Sequence, residues 1–124
     1  MTKITAYGFV LVTIIFTVVG QLLIKWQAMQ AGSLPVSWSA RATFLMDLLL
    51  NPWIILGLFS AVVAACAWML AMTRLPISIA YPMMSLTYPL VIVISWRLLG
   101  ETLSPWRGVG VGLILVGIAL LGIE

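Results

Sequence analysis

Between Ile77 and Pro89 an otherwise apolar run carries hydroxyl side chains at helical spacing. Ser78, Tyr81, Ser85 and Tyr88 lie three, four and three residues apart. At about 100° per residue, all four fall within roughly 80° of one another on a helix. A polar stripe in an apolar helix faces protein or water rather than lipid. Tyr81-Pro82 and Tyr88-Pro89 repeat the same pair on nearly the same face. Each proline removes a backbone donor and frees the carbonyl four residues back, that of Ser78 or Ser85. A kink is expected there, and a kinked helix can both move and offer backbone to a cargo. The competing use of the stripe is packing of its hydroxyls against a neighbouring helix. A second stripe, Thr13, Thr17, Gln21 and Lys25, repeats every four residues beside Gly20. Thr17 and Gln21 can hydrogen-bond a polar cargo, but neither can carry a proton as a carboxylate would. Lys25, at the end of this stripe, can snorkel to the interface, there to hold an anionic headgroup or to anchor the helix.

The chemistry is therefore that of binding and passage. No Asp or Glu lies inside an apolar run, so the buried acid needed to exchange protons for cationic cargo is missing. The chain has no His, and its only cysteine, Cys66, falls in an apolar run, where a small buried residue is expected. No metal site, cofactor or nucleophile–base pair is expected, and hence no enzyme.

The elements that position these residues follow from composition. Hydrophobic residues make up 64% of the 124 and charged residues 7%, with a mean hydropathy of +1.23. Too little polar surface remains to cover a soluble domain. Four apolar runs predict one domain over 1–124, with helices at about 4–24, 53–72, 75–98 and 105–123. Each is near the ~20 residues that cross ~30 Å of hydrocarbon. Backbone groups in lipid must satisfy one another, and the runs lack the period-two alternation of a barrel, so the fold class is an all-α membrane bundle. The first run is longer than the ~7–15 apolar residues of a cleaved signal, so it is expected to be retained.

Six basic and three acidic residues give a net charge of +3, spread over helix ends rather than gathered in a nucleic-acid-binding patch. Lys25, Arg41, Arg97 and Arg107 fall on the side of loops one and three, Lys3 and Arg74 on the other. This small excess predicts those loops in the cytoplasm and both termini outside. In loop one, Phe44, Leu45, Leu48 and Leu49 follow Arg41 at helical spacing. They predict a short interfacial helix capped by Ser37 or Ser39, with Trp26, Trp38 and Trp53 as interface anchors. The alternative is a gate for a lipid headgroup. Ser104 is the expected cap of the fourth helix, with Pro105 at its first position and Glu101 close to Arg97 and Arg107.

In that helix, Gly108 and Gly112 form a small-xxx-small pair that Gly117 extends, a surface for close helix approach and dimerisation. No internal repeat is present. Four helices enclose little space, so a pathway is expected to need a second copy or a paralogue.

These features together resemble the small multidrug resistance superfamily, within the drug/metabolite transporter group. The likeness covers all four helices. It rests on Gly20 followed by Lys25, Pro76 with Ile79-Ala80-Tyr81 and Ser85, Ser95-Trp96, Gly100-Glu101, and Gly112-Leu113-Ile114-Leu115-Val116-Gly117. The last stretch is similar to the family's dimerisation motif. The drug exporters of the family carry an essential glutamate three residues before the glycine matched by Gly20; here Thr17 stands there. Their drug-contact tryptophan matches Met84. The closer likeness, through Gly20-Gln21 and Ile79 to Leu86, is to EamA-like subunits that flip aminoarabinose linked to undecaprenyl phosphate. That resemblance implies a lipid-linked sugar phosphate crossing the bacterial inner membrane. The expected partner is a membrane lipid, polyprenyl phosphate or its glycosylated form. Lys25 is the expected phosphate anchor, with Thr17, Gln21, Tyr81, Ser85 and Tyr88 along the headgroup route and Pro82 and Pro89 shaping the helix. The chain is expected to act as a homodimer or a heterodimer. The competing readings are export of small cationic or neutral metabolites, and a non-transporting partner of a sugar-lipid enzyme.

Overall fold

A computed structural model describes residues 2–123, and every regular element among them is helical. Helix α1 (Lys3–Ala31) starts where the Thr2 side chain accepts from the Thr5 amide, and stops at Gly32, whose φ of +91° suits glycine alone. It runs past Lys25, because no proline or glycine interrupts residues 26–31. Lys25 therefore stands within the helix rather than at its end. Helix α2 (Trp38–Leu49) is capped by Ser37, as expected. Phe44 and Leu48 are half-buried in it, while Leu45 and Leu49 stay exposed.

Helix α3 (Pro52–Met72) begins at Asn51, whose side chain caps the Trp53 amide at 2.8 Å and also donates to Gln27 Oε1 at 2.9 Å. One residue thus ends loop one and ties α3 to α1. Next come α4 (Ile77–Met83), a single 3₁₀ turn (Met84–Leu86) and α5 (Thr87–Leu98). The expected kink is this turn, lying between the two prolines that cannot donate to the ladder. The Thr87 hydroxyl closes it by donating to the Met84 carbonyl at 2.8 Å. Helix α6 (Pro105–Leu121) starts with Pro105 behind the Ser104 cap. By length and composition, α1, α3 and the Ile77–Leu98 segment can each cross a membrane, and α6 is a shorter apolar helix of 17 residues.

The bundle is built on the α1–α3 pair. Ala6, Val10, Ile14 and Val18 form one buried face of α1. In α3 the buried positions are mostly small: Gly57, Ser60, Ala64, Ala67 and Ala71. Lipid removes the hydrophobic drive between helices, so close packing and interhelical hydrogen bonds hold them. Both occur here. A Cβ built on Gly20 would lie 2.8 Å from the Gly57 carbonyl oxygen. Ser60 Oγ donates to the Phe16 carbonyl at 2.7 Å, and Thr13 Oγ1 to those of Phe9 at 2.8 Å and Ala64 at 3.3 Å.

Helix α6 is different. It has no buried residue, and a Cβ added at Gly108, Gly112 or Gly117 would meet nothing within 4 Å.

Candidate functional site

Close packing of α1 on α3 leaves an open cavity of about 450 Å³ where the broken α4–α5 segment stands off from both. Six residues of the two stripes share its lining: Thr13, Thr17 and Gln21 from α1, and Tyr81, Ser85 and Tyr88 from the broken segment. The Thr13 hydroxyl is engaged by backbone carbonyls. Thr17, Gln21 and Ser85 make no side-chain hydrogen bond among the described residues, so their polar groups are available to a bound headgroup. The 3₁₀ turn carries Met84 and Ser85 to the cavity wall. Ser78 does not line the cavity.

The far wall comes from α3: Ala61, Ala64 and Ala65, whose small size makes the room, and Trp68. Trp68 meets Tyr81 edge to face, with centroids 6.2 Å apart and planes at 73°. No charged residue is among the lining residues. Trp68 is the wall residue that the stripes on the other helices do not announce. It is the one bulky aromatic residue of its run lying a turn beyond the small stripe Ser60-Ala64. That signal becomes legible only when α3 is known to pack on α1.

Lys25 lies outside the lining. It is four residues, about 6 Å along the helix, beyond Gln21 on the same face. Its Nζ is 3.8 Å from Glu101 Oε1, with the two side chains 54% and 39% exposed. Glu101 thus faces Lys25 rather than the arginines near it in sequence. Arg97 lies over the Trp96 ring, and Arg107 donates to the Thr102 carbonyl at 2.9 Å. Pro82 and Pro89 flank the turn, half-buried and buried. Gly108, Gly112 and Gly117 are on α6, away from the cavity.

A second hollow, of about 340 Å³, lies across α1 and is walled by Val19, Leu22, Trp26, Ile94 and Leu98 among others. Its walls are almost wholly apolar, so the first cavity is where polar recognition can occur. Among the described residues no His, Cys, Asp or Glu group is arranged to hold a metal ion.

A bundle of apolar helices around an open, uncharged cavity lined by hydroxyls, an amide and aromatic rings defines a small membrane transporter. Residues 1–123 match the EamA-like transporter family, and the chain belongs to it as a multi-pass membrane protein. A relative in Pseudomonas fluorescens (strain Pf0-1) is 31% identical over 112 residues, covering 90% of this chain and 92% of its own. One in Salmonella heidelberg (strain SL476) is 35% identical over 115 residues, 93% of this chain and 96% of its own. A third, in Aeromonas hydrophila, is 38% identical over 87 residues, 70% and 76% of the two chains. All three are named probable 4-amino-4-deoxy-L-arabinose-phosphoundecaprenol flippase subunit ArnE. No solved structure matches the chain.

Proposed function

We propose that this transporter is a flippase subunit of the bacterial inner membrane and moves a sugar linked to polyprenyl phosphate. The observation that carries the reading is a cavity with free hydrogen-bonding groups and no carboxylate, with a cation a turn beyond it. The phosphate of the cargo is an anion, which a buried acid would repel. Thr17, Gln21, Ser85 and the tyrosine hydroxyls replace water around the sugar. The tail stays in lipid, past the open side of the cavity. The names of the relatives support the same cargo class.

Lys25 is the phosphate anchor in this reading. Its present partner is weakly held, because an exposed pair contributes only ~0–1 kcal/mol. A phosphate therefore displaces Glu101 at little cost. Native mass spectrometry of the purified protein, titrated with polyprenyl phosphate, tests this. Lys25→Ala is expected to weaken binding about tenfold, the equivalent of one charge-assisted hydrogen bond of ~1.5 kcal/mol. Glu101→Gln is expected to strengthen it by freeing the cation. Retention of bulk phospholipid alone, with no enrichment of polyprenyl phosphate, would favour metabolite export or a non-transporting partner role.

The pathway is completed by a second chain, this one or a paralogue, docked on α6. The empty space over Gly108, Gly112 and Gly117 supports this. Gly112→Leu is expected to lower the dimeric fraction severalfold in detergent, as seen by crosslinking. Thermal stability of the single chain should hold, since Gly112 is exposed and a Cβ there meets nothing within 4 Å. A fully retained dimer would move the interface elsewhere.

A further inference from the structure

The cavity must admit a headgroup, yet it has no charged residue in its lining. If the cargo is the amino sugar named for the relatives, that headgroup bears two charges of opposite sign. A primary amine is protonated at neutral pH, as a lysine side chain is. The phosphate on the same sugar is an anion. A carboxylate placed for the amine would act on the phosphate as well, with the wrong sign. An aromatic face avoids the conflict. Its quadrupole attracts a cation while the ring has no net charge.

The rings required are present. Trp68 from α3 and Tyr81 from α4 stand at 73° with centroids 6.2 Å apart, forming a corner in the wall of the cavity. Tyr88, seven residues after Tyr81, lines the same cavity and is 61% exposed. We propose that Trp68 and Tyr81 form an aromatic subsite for the protonated amine of the sugar, with Tyr88 further along the same cavity, and that this subsite makes the cavity selective for amino sugars. The inference rests on the lipid-linked sugar reading above and adds the residues that read the sugar. Gln21, lining the same cavity, is free to bond the sugar hydroxyls.

The test compares two ligands that differ only in the amine. Polyprenyl phosphate bearing the amino sugar, and the same lipid with that nitrogen acetylated, are titrated in turn into the full-length protein in nanodiscs. Acetylation removes the charge and leaves sugar, phosphate and tail. The free amine is expected to bind roughly 2- to 30-fold tighter, the range that ~0.5–2 kcal/mol of cation–π attraction gives at ~1.4 kcal/mol per tenfold. Trp68→Leu should bring this ratio close to one, and Trp68→Phe should keep part of it. If Trp68→Leu does not fold, Tyr81→Leu, at a position 66% exposed, should lower the ratio instead. Because the readout is a ratio, a variant that weakens both lipids equally would assign these rings a structural role and overturn the proposal. A wild-type ratio near one, with both lipids bound, would overturn the amine subsite and leave the lipid reading standing. Binding of neither lipid would remove both.

Discussion

Gly20→Ala is expected to lower the thermal midpoint of the purified protein and to abolish lipid binding, although it adds a single methyl group. The new Cβ would sit 2.8 Å from the Gly57 carbonyl oxygen, with Ser60 Cβ at 3.6 Å and the Ala61 amide nitrogen at 3.7 Å. The nearest atom is backbone and cannot swing aside, so α1 and α3 must move apart. Overpacking of this kind costs about 1–3 kcal/mol. The loss spreads, because the Ser60–Phe16 bond of 2.7 Å depends on the same close approach. Gly20 also lines the cavity, so the displacement reaches the site itself. Two other glycines calibrate the effect. Gly57→Ala would place its Cβ 3.1 Å from the Gly20 carbonyl oxygen and 3.2 Å from Ile24 Cγ1, a milder clash. Gly8→Ala, on the same helix, meets nothing within 4 Å, and should be neutral or stabilising by up to ~1 kcal/mol through helix propensity. Thermal unfolding followed by tryptophan fluorescence should rank the three as Gly20, Gly57, Gly8, from most to least harmful. Equal midpoints for Gly20→Ala and Gly8→Ala would refute the tight α1–α3 contact.

The contrast among these glycines shows what a sequence of this kind can disclose. Membrane spans are legible because lipid forces every apolar run into a helix that satisfies its own backbone. Caps are legible because Ser37, Ser104 and Pro105 act locally. The break in the third apolar run is legible from Pro82 and Pro89, and the structure adds that it is a 3₁₀ turn at Met84–Leu86. What escapes local pattern is which faces meet. The small stripe Gly57, Ser60, Ala64, Ala67 and Ala71 is a periodicity of the sequence. Its meaning depends on Gly20 arriving opposite Gly57, a long-range match of two helices. Lys25 shows the same limit. Its charge suggests a helix end, yet α1 continues to Ala31 and its carboxylate partner, Glu101, comes from the loop between α5 and α6. Trp68 enters the site only because α3 turns it toward Tyr81.

The second large effect concerns the acid that is missing. Thr17→Glu would put a carboxylate into the cavity at the position where the related drug exporters carry one. Thr17 lines the cavity and makes no side-chain hydrogen bond among the described residues, so the substitution breaks none of the bonds described. The added charge is eight residues from Lys25, about 12 Å along the helix axis. With an effective dielectric constant of ~20, two unit charges at that distance interact by about 1.4 kcal/mol, a factor of ten in affinity. A phosphate held at Lys25 should therefore bind about tenfold more weakly, and one passing Thr17 more weakly still. The carboxyl repels the phosphate only when ionised, so the loss should grow as pH rises through its titration. The same variant should gain affinity for hydrophobic cations, whose charge the new carboxylate would neutralise, along the same pH profile. Thr17→Gln, of nearly the same size and uncharged, should do neither. Polyprenyl phosphate and a quaternary ammonium amphiphile, each titrated into wild type and both variants, measure the two arms. If Thr17→Glu weakens the anion no more than Thr17→Gln does, the absence of an acid has no part in selecting the cargo. The apolar walls and the aromatic corner would then have to account for the selection alone.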